Sequence, residues 1–153
     1  TIGHVRSTFI EDVEFAVKDA TITANLYGDS YGVGQQNWFV EAQKGDDLFM
    51  LELFNSSTES CDGLYQMLPP ESSDYANRYL PGLLGSDGLV GSWYAKLSNG
   101  TIKGDVMAPM TEGVIRLTTD GDTLTIEYGC KDDAGNDITG SVSGALTIKD
   151  MRE

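Results

Sequence analysis

The stretch from Glu112 to Lys149 constrains the fold more than any other part of this 153-residue chain. It reads as three strands in succession. Asp120-Gly121 falls between two β-rich runs, where a two-residue hairpin turn needs positive φ at its central positions, and Asp followed by Gly supplies it at little steric cost. A second, longer join, Asp132 to Asp137, is built from the same turn-forming residues. Two consecutive hairpins make an antiparallel meander, so the C-terminal quarter is all-β.

The remainder agrees with it. Ala20, Ile22, Ala24 and Leu26 alternate with Thr21, Thr23 and Asn25, a period of two; before them, residues 1–16 admit either a short helix opened by a Thr8-Phe9-Ile10-Glu11 capping box or, as the alternation of Val13 and Phe15 with Asp12 and Glu14 favours, a half-buried strand. A glycine-rich turn, 28–34, leads to Trp38, Val40 and Ala42 on one face of a further strand. Lys44 to Asp47 is another turn, and the nearly continuous apolar run Leu48 to Phe54 reads as a strand covered on both faces. Gly63-Leu64-Tyr65 starts a short strand that Pro69-Pro70 ends, because proline cannot donate to a ladder. The spacing predicts one helix, over residues 71–80, with Ser73 as cap and Tyr75 and Tyr79 on one face. Strands are expected again at 89–97 and 101–107.

About nine or ten strands at such spacing indicate a sandwich or a barrel. The expectation is a single antiparallel β domain spanning residues 1–153. A β-sandwich is the first reading and a closed, lipocalin-like barrel the second. Eighteen glycines and seven tyrosines suit short strands and tight turns better than helices. The chain is long enough to bury a core without a metal or disulfide framework.

Charge narrows the partners. Ten Lys and Arg against 24 Asp and Glu give a formal net charge of −14. Such a field opposes nucleic acids and anionic membranes. No run approaches the roughly 20 apolar residues of a membrane span. The chain opens on Thr1 without a charged and then apolar leader, so a mature or trimmed form is expected. Cys61 and Cys130 lack CxxC or His-rich company, which argues against zinc and redox motifs. They either form one long-range disulfide in an exported protein or stay as two buried thiols. Asn55-Ser56-Ser57 and Asn99-Gly100-Thr101 match the glycosylation sequon.

No motif completes a catalytic or cofactor signature. Gly28-Asp29-Ser30-Tyr31-Gly32 fits a Gly-x-Ser-x-Gly nucleophile elbow and also the first block of the GDSL-type esterases. Either needs a histidine base. The one histidine, His4, precedes the serine, and no α/β alternation follows it, so a strand-joining glycine turn is the better reading. Asp132, Asp133, Asn136 and Asp137 concentrate oxygen ligands around Gly135, but their spacing is not that of an EF-hand and suits a polar hairpin loop. Exposed aromatic side chains can stack on sugar rings. Trp38 and Tyr128 are in phase with core positions, whereas Tyr27 and Tyr31, flanking the glycine turn with Asp29, are the least core-like.

The stretch from Ala20 to Glu41 ends a strand in Tyr27-Gly28-Asp29, continues in glycines and opens the next strand with Asn37-Trp38. In this it resembles uncharacterised domains of secreted or surface lipoproteins of Bacteroidetes. Gly63-Leu64-Tyr65 is similar to a Gly-x-Tyr that begins a strand midway through those domains. The Asp132-Asp133-Ala134-Gly135 turn and the Ser143-Gly144-Ala145-Leu146 ending are similar to their closing meander. The resemblance implies export and anchoring at the cell surface through an N-terminal lipid-bearing segment. It implies no established activity and carries over no functional residues; Cys61 and Cys130 are not part of the pattern.

The function expected is that of a non-catalytic, exported binding or adhesion module for an extracellular ligand, a glycan or a surface protein, without metal or cofactor. Tyr27, Asp29 and Tyr31 are the candidate ligand-binding residues. One rival is a lipocalin-like carrier, marked by an interior apolar pocket. The other is a glycoside hydrolase with two carboxylates sharing a cleft.

Overall fold

The computed structural model describes residues 7–85, 88–98 and 101–152. His4 and Asn99 lie outside them. The first strand resolves a change of phase in the sequence. Val13, Phe15 and Val17 occupy odd positions and Ala20, Ile22, Ala24 and Leu26 even ones, yet both runs belong to one strand, β1 (Val13–Gly28). The pairing register slips between Val17 and Ala20, where Asp19 takes a φ of 60°. One extra residue in a strand of period two moves all later side chains to the other face. Here the bulge keeps both apolar runs turned inward.

Next come β2 (Gln36–Lys44), β3 (Asp47–Asn55), β4 (Gly63–Met67) and the two-residue β5 (Arg78–Tyr79). A small separate hairpin, β6 (Leu83–Gly85) with β7 (Gly88–Val90), precedes β8 (Trp93–Ser98) and β9 (Thr101–Pro109). The expected meander closes the chain as β10 (Glu112–Asp120), β11 (Thr123–Lys131) and β12 (Asp137–Asp150). Its first turn is shifted by one residue from expectation. Asp120 pairs with Thr123, which leaves Gly121-Asp122 as the loop, and only Gly121 takes a positive φ, of 61°.

Hydrogen-bonded neighbours run β1-β12-β11-β10-β4-β5-β3-β2, and β2 pairs back to β1. Eight strands therefore close into a barrel, which corrects the sandwich in favour of the second reading. The sheet is also not wholly antiparallel, since β1 pairs parallel with β12 and β4 with β5. Closure rests on contacts between the first and last strands. They approach so tightly that a Cβ on Gly140 would overlap the carbonyl oxygen of Phe15, and one on Gly144 that of Ala20. The helix expected over 71–80 is absent. Glu71 and Asn77 take positive φ, of 63° and 53°, which a right-handed helix forbids. Arg78–Tyr79 is captured instead as β5, bridging Gln66 and Met67 of β4 to Leu53 and Phe54 of β3. Tyr79 is consequently buried inside the barrel, whereas Tyr75 lies outside it.

The lower end, where β1 finishes, is sealed by a buried polar knot. Trp38 Nε1 donates to Asn55 Oδ1 (2.9 Å), and Asn55 Nδ2 donates to the Ser60 carbonyl (2.8 Å) and Tyr65 Oη (3.0 Å). The Tyr65 hydroxyl donates in turn to the Cys61 carbonyl at 2.7 Å. The upper end, where β1 begins, is aromatic. Phe15, Phe49, Tyr94 and Tyr128 converge there, and residues 7–12 cross over them. That crossing is held by Ser7 N to Asp133 Oδ1 (2.9 Å), Thr8 N to the Met107 carbonyl (2.9 Å) and Asn136 Nδ2 to the Phe9 carbonyl (2.9 Å). Asp137 N to Asp12 Oδ1 (2.8 Å) completes the hold.

The apolar run of β3 is covered on both faces, as expected. Phe49, Leu51 and Leu53 face the barrel interior, while Leu48 and Met50 pack outside with Trp93. Ser92, fully buried, sits where the edge of β3 divides between β5 and β8, and its Oγ accepts from Glu52 N at 3.2 Å.

Two variants test these closures. Gly140→Ala should cost about 2–4 kcal/mol in urea unfolding, because the new Cβ meets backbone and φ is positive at 139°. Asn55→Ala should cost about 2–3 kcal/mol, because it removes the buried amide that donates to the Ser60 carbonyl and to Tyr65 Oη and accepts from Trp38 Nε1.

Candidate functional site

The glycine turn after β1 is organised by Asp29. Its carboxylate accepts from Val33 N (2.7 Å) and Gly34 N (2.9 Å), and its carbonyl accepts from Gly32 N. This is an Asx-type turn, in which a short acid replaces the hydrogen bonds that the backbone cannot make to itself. Asp29 is thus turn-building. Ser30 Oγ donates to Asn37 Oδ1 at 3.3 Å, an amide oxygen that cannot serve as a catalytic base, in keeping with the turn reading of Gly28 to Gly32.

Tyr27, Asp29 and Tyr31 do not converge. Tyr27 and Asp29 line a shallow depression with Met151 and Arg152, whose guanidinium pairs with Asp150 at 2.7 Å. Tyr31 lies instead over the outer face of β3. Its ring stands edge-on to Phe54 (centroids 5.0 Å apart, 90° between planes) and is 6.4 Å from Tyr75, which meets Phe54 edge-on at 5.0 Å. Phe54 is fully buried by this arrangement, and burial of such a ring contributes about 1.5–3 kcal/mol. It forms a rigid floor. Tyr31 is 45% exposed and Tyr75 is half-buried.

A polar edge borders these rings. The Tyr31 hydroxyl donates to Glu52 Oε2 at 2.6 Å, and Asn37 Nδ2 donates to the same oxygen at 3.3 Å. Partial burial and the Glu52 carboxylate both push the Tyr31 phenol well above its ordinary range, so it remains a donor at all physiological pH. On its far side Tyr75 also lines a groove of about 310 Å³ with Leu68, Pro69, Pro70 and Leu80. Tyr31, Tyr75, Glu52 and Asn37 therefore form a continuous surface with flat apolar faces beside a carboxylate and an amide. Sequence reasoning found Tyr31 but not Phe54, Tyr75 or Glu52 as site residues. The available signal was Glu52, which interrupts the apolar run of β3 and marks its outer face.

The other candidates resolve differently. Asp132 Oδ1 accepts from Ala134 N (3.0 Å) and Asn136 N (2.8 Å), Asp133 accepts from Ser7 N, and Asp137 pairs with Lys131 at 2.6 Å. These oxygens are committed to the hairpin and to residues 7–12. Among the described residues no group of three or more His, Cys, Asp or Glu is placed to hold a metal ion. A surface depression of about 370 Å³ beside β11 holds two acids, Glu112 and Asp137, with Lys131 paired to Asp137.

Cys61 and Cys130 are free, so the disulfide alternative is corrected to two buried thiols. Register explains it. Gly63 lies opposite Leu117, which lies opposite Ile126. Cys130 is four residues further along β11, roughly 13 Å at the usual strand rise, and Cys61 precedes Gly63 in the opposite direction.

Burial pushes both thiols up to about 12. A thiol held neutral in the fold but ionising near 8.5 when unfolded contributes stability that is complete below pH 8.5 and is lost as pH rises toward 12. The buried tyrosines Tyr65, Tyr79 and Tyr128, also raised by burial, act in the same direction above about pH 10. The urea midpoint should therefore be flat from pH 7 to 8.5 and fall steadily above pH 9. Both thiols should ignore a disulfide reagent until the chain is denatured. Comparison with protein-family models, with curated proteins and with solved structures gives no match for this chain.

Proposed function

We propose that this protein is a non-catalytic binding module that takes a neutral glycan on the Tyr31–Tyr75 face, and that it is exported and works at the bacterial cell surface. The observation that carries the ligand reading is the tyrosine pair, Tyr31 exposed and Tyr75 half-buried, fixed on a buried Phe54 with Glu52 and Asn37 at its edge. Sugar rings present an apolar face of C–H groups, which stacks on an aromatic ring, and a rim of hydroxyls, which carboxylates and amides recognise. Holding the rings in place before binding lowers the entropy lost on association. The net charge of −14 favours neutral glycans over sialylated or uronic ones. The location rests on the likeness of 20–41 and the closing meander to surface lipoprotein domains.

A glycan array followed by titration calorimetry with the best neutral binder tests this reading. Tyr31→Ala and Tyr75→Ala should each weaken binding about tenfold, the equivalent of about 1.4 kcal/mol of lost stacking, and Glu52→Gln should weaken it less. An array without neutral binders, or a binder indifferent to both tyrosine variants, would sink the proposal.

A further inference from the structure

The upper end of the barrel carries an aromatic cluster away from the Tyr31–Tyr75 face. Phe15, Phe49, Tyr94 and Tyr128 line it with ring centroids 4.9–5.9 Å apart. Phe9 covers them, stacked on Tyr94 at 6.0 Å, and both Phe9 and Phe15 remain partly open to solvent. Gly140 makes the lining possible. It lies between Phe15 of β1 and Tyr128 of β11 in the register, and with no side chain of its own it lets the two rings meet at 5.2 Å.

One polar atom in this aromatic cluster is unaccounted for. Tyr128 is 5% exposed, and its hydroxyl has no hydrogen-bond partner. Its surroundings offer little. The neighbouring Cys130 thiol donates to the Val114 carbonyl at 3.5 Å and meets the Tyr79 hydroxyl at 4.0 Å. Folded proteins rarely leave a buried donor orphaned, and such a group calls for an explanation. A phenol O–H is best met by a carbonyl oxygen.

We propose that this end of the barrel binds a small, flat, uncharged aromatic molecule bearing a carbonyl group when the Phe9 ring swings out, that the molecule takes the place of that ring, and that the Tyr128 hydroxyl donates to its carbonyl. Phe9 acts as a resident stand-in. The hydrogen bonds that tie down residues 7–12 are exposed or half-buried, the kind that open locally at small cost without unfolding the barrel. Among the described residues the named lining (Phe9, Phe15, Phe49, Tyr94 and Tyr128) carries no cation, and with the net charge of −14 this favours a neutral ketone or aldehyde over a carboxylate-bearing ligand.

The test uses 6-propionyl-2-dimethylaminonaphthalene, a flat aromatic ketone whose emission shifts to the blue when it leaves water. Titrated into the full chain it should give a saturable blue shift. Phe9→Ala should bind it about tenfold more tightly, and adding Tyr128→Phe to that variant should weaken binding about fivefold. Asn136→Ala, which releases the Phe9 carbonyl without touching the lining, should also tighten binding and serves if Phe9→Ala does not fold. Tyr31→Ala should change nothing, which separates this site from the glycan face. No saturable shift in Phe9→Ala or Asn136→Ala, an affinity unaffected by Tyr128→Phe, or binding abolished by Tyr31→Ala would each overturn the proposal.

Discussion

The whole barrel depends on the approach of β1 to β12. This pairing joins residues more than a hundred positions apart, whereas the next most distant of the eight, β4 with β10, joins residues 48 to 54 positions apart (Gln66 with Val114, Gly63 with Leu117) and the others are closer still. It is feasible because Gly140 and Gly144 stand where the β1 carbonyls of Phe15 and Ala20 press closest, and because the bulge at Asp19 restores the inward phase of β1. Remove that seam and the sheet has two long open edges, the condition that invites pairing with other chains. Such distant closure also implies slow folding, since loop entropy is spent before the final contacts form.

The two ends of the barrel are closed by different physics, and this divides their roles. The lower end is a saturated hydrogen-bond knot in which the Trp38, Asn55 and Tyr65 side chains all have partners, so it is rigid and specific. The upper end relies on aromatic contacts under a crossing segment, and it leaves the Tyr128 hydroxyl unsatisfied. The outer tyrosine face depends on neither. It is positioned by β3, whose lower half is held between β2 and β5 and so presents Glu52 and Phe54 at fixed places.

Much of the strand pattern was legible in the sequence, because period-two alternation and turn residues are local signals. The meander, the two-faced burial of β3 and the arrest of β4 at Pro69-Pro70 all follow from neighbours in the chain. Closure was not legible. A barrel and a sandwich demand the same inward alternation, and only the pairing of β1 with β12 distinguishes them. The helix expected over 71–80 failed for a related reason. Tyr75 and Tyr79 have helical spacing, but Tyr79 is claimed by β3 and β4 and Tyr75 by Phe54, so tertiary contacts override local preference. The glycine turn drew notice for its motif, yet its acid builds the turn, and of its flanking tyrosines only Tyr31 reaches a partner set.

Asn55 has a bearing on where this chain can be made. Its sequon, Asn55-Ser56-Ser57, would be offered to a eukaryotic glycosylation enzyme while the chain is still extended, before the knot exists. A sugar attached there would replace one of the two amide hydrogens that reach Ser60 and Tyr65, and would force a bulky hydrophilic group against the sealed floor of the barrel. Maturation in such a secretory route would then compete directly with folding, whereas a host without that enzyme leaves the asparagine to its structural task.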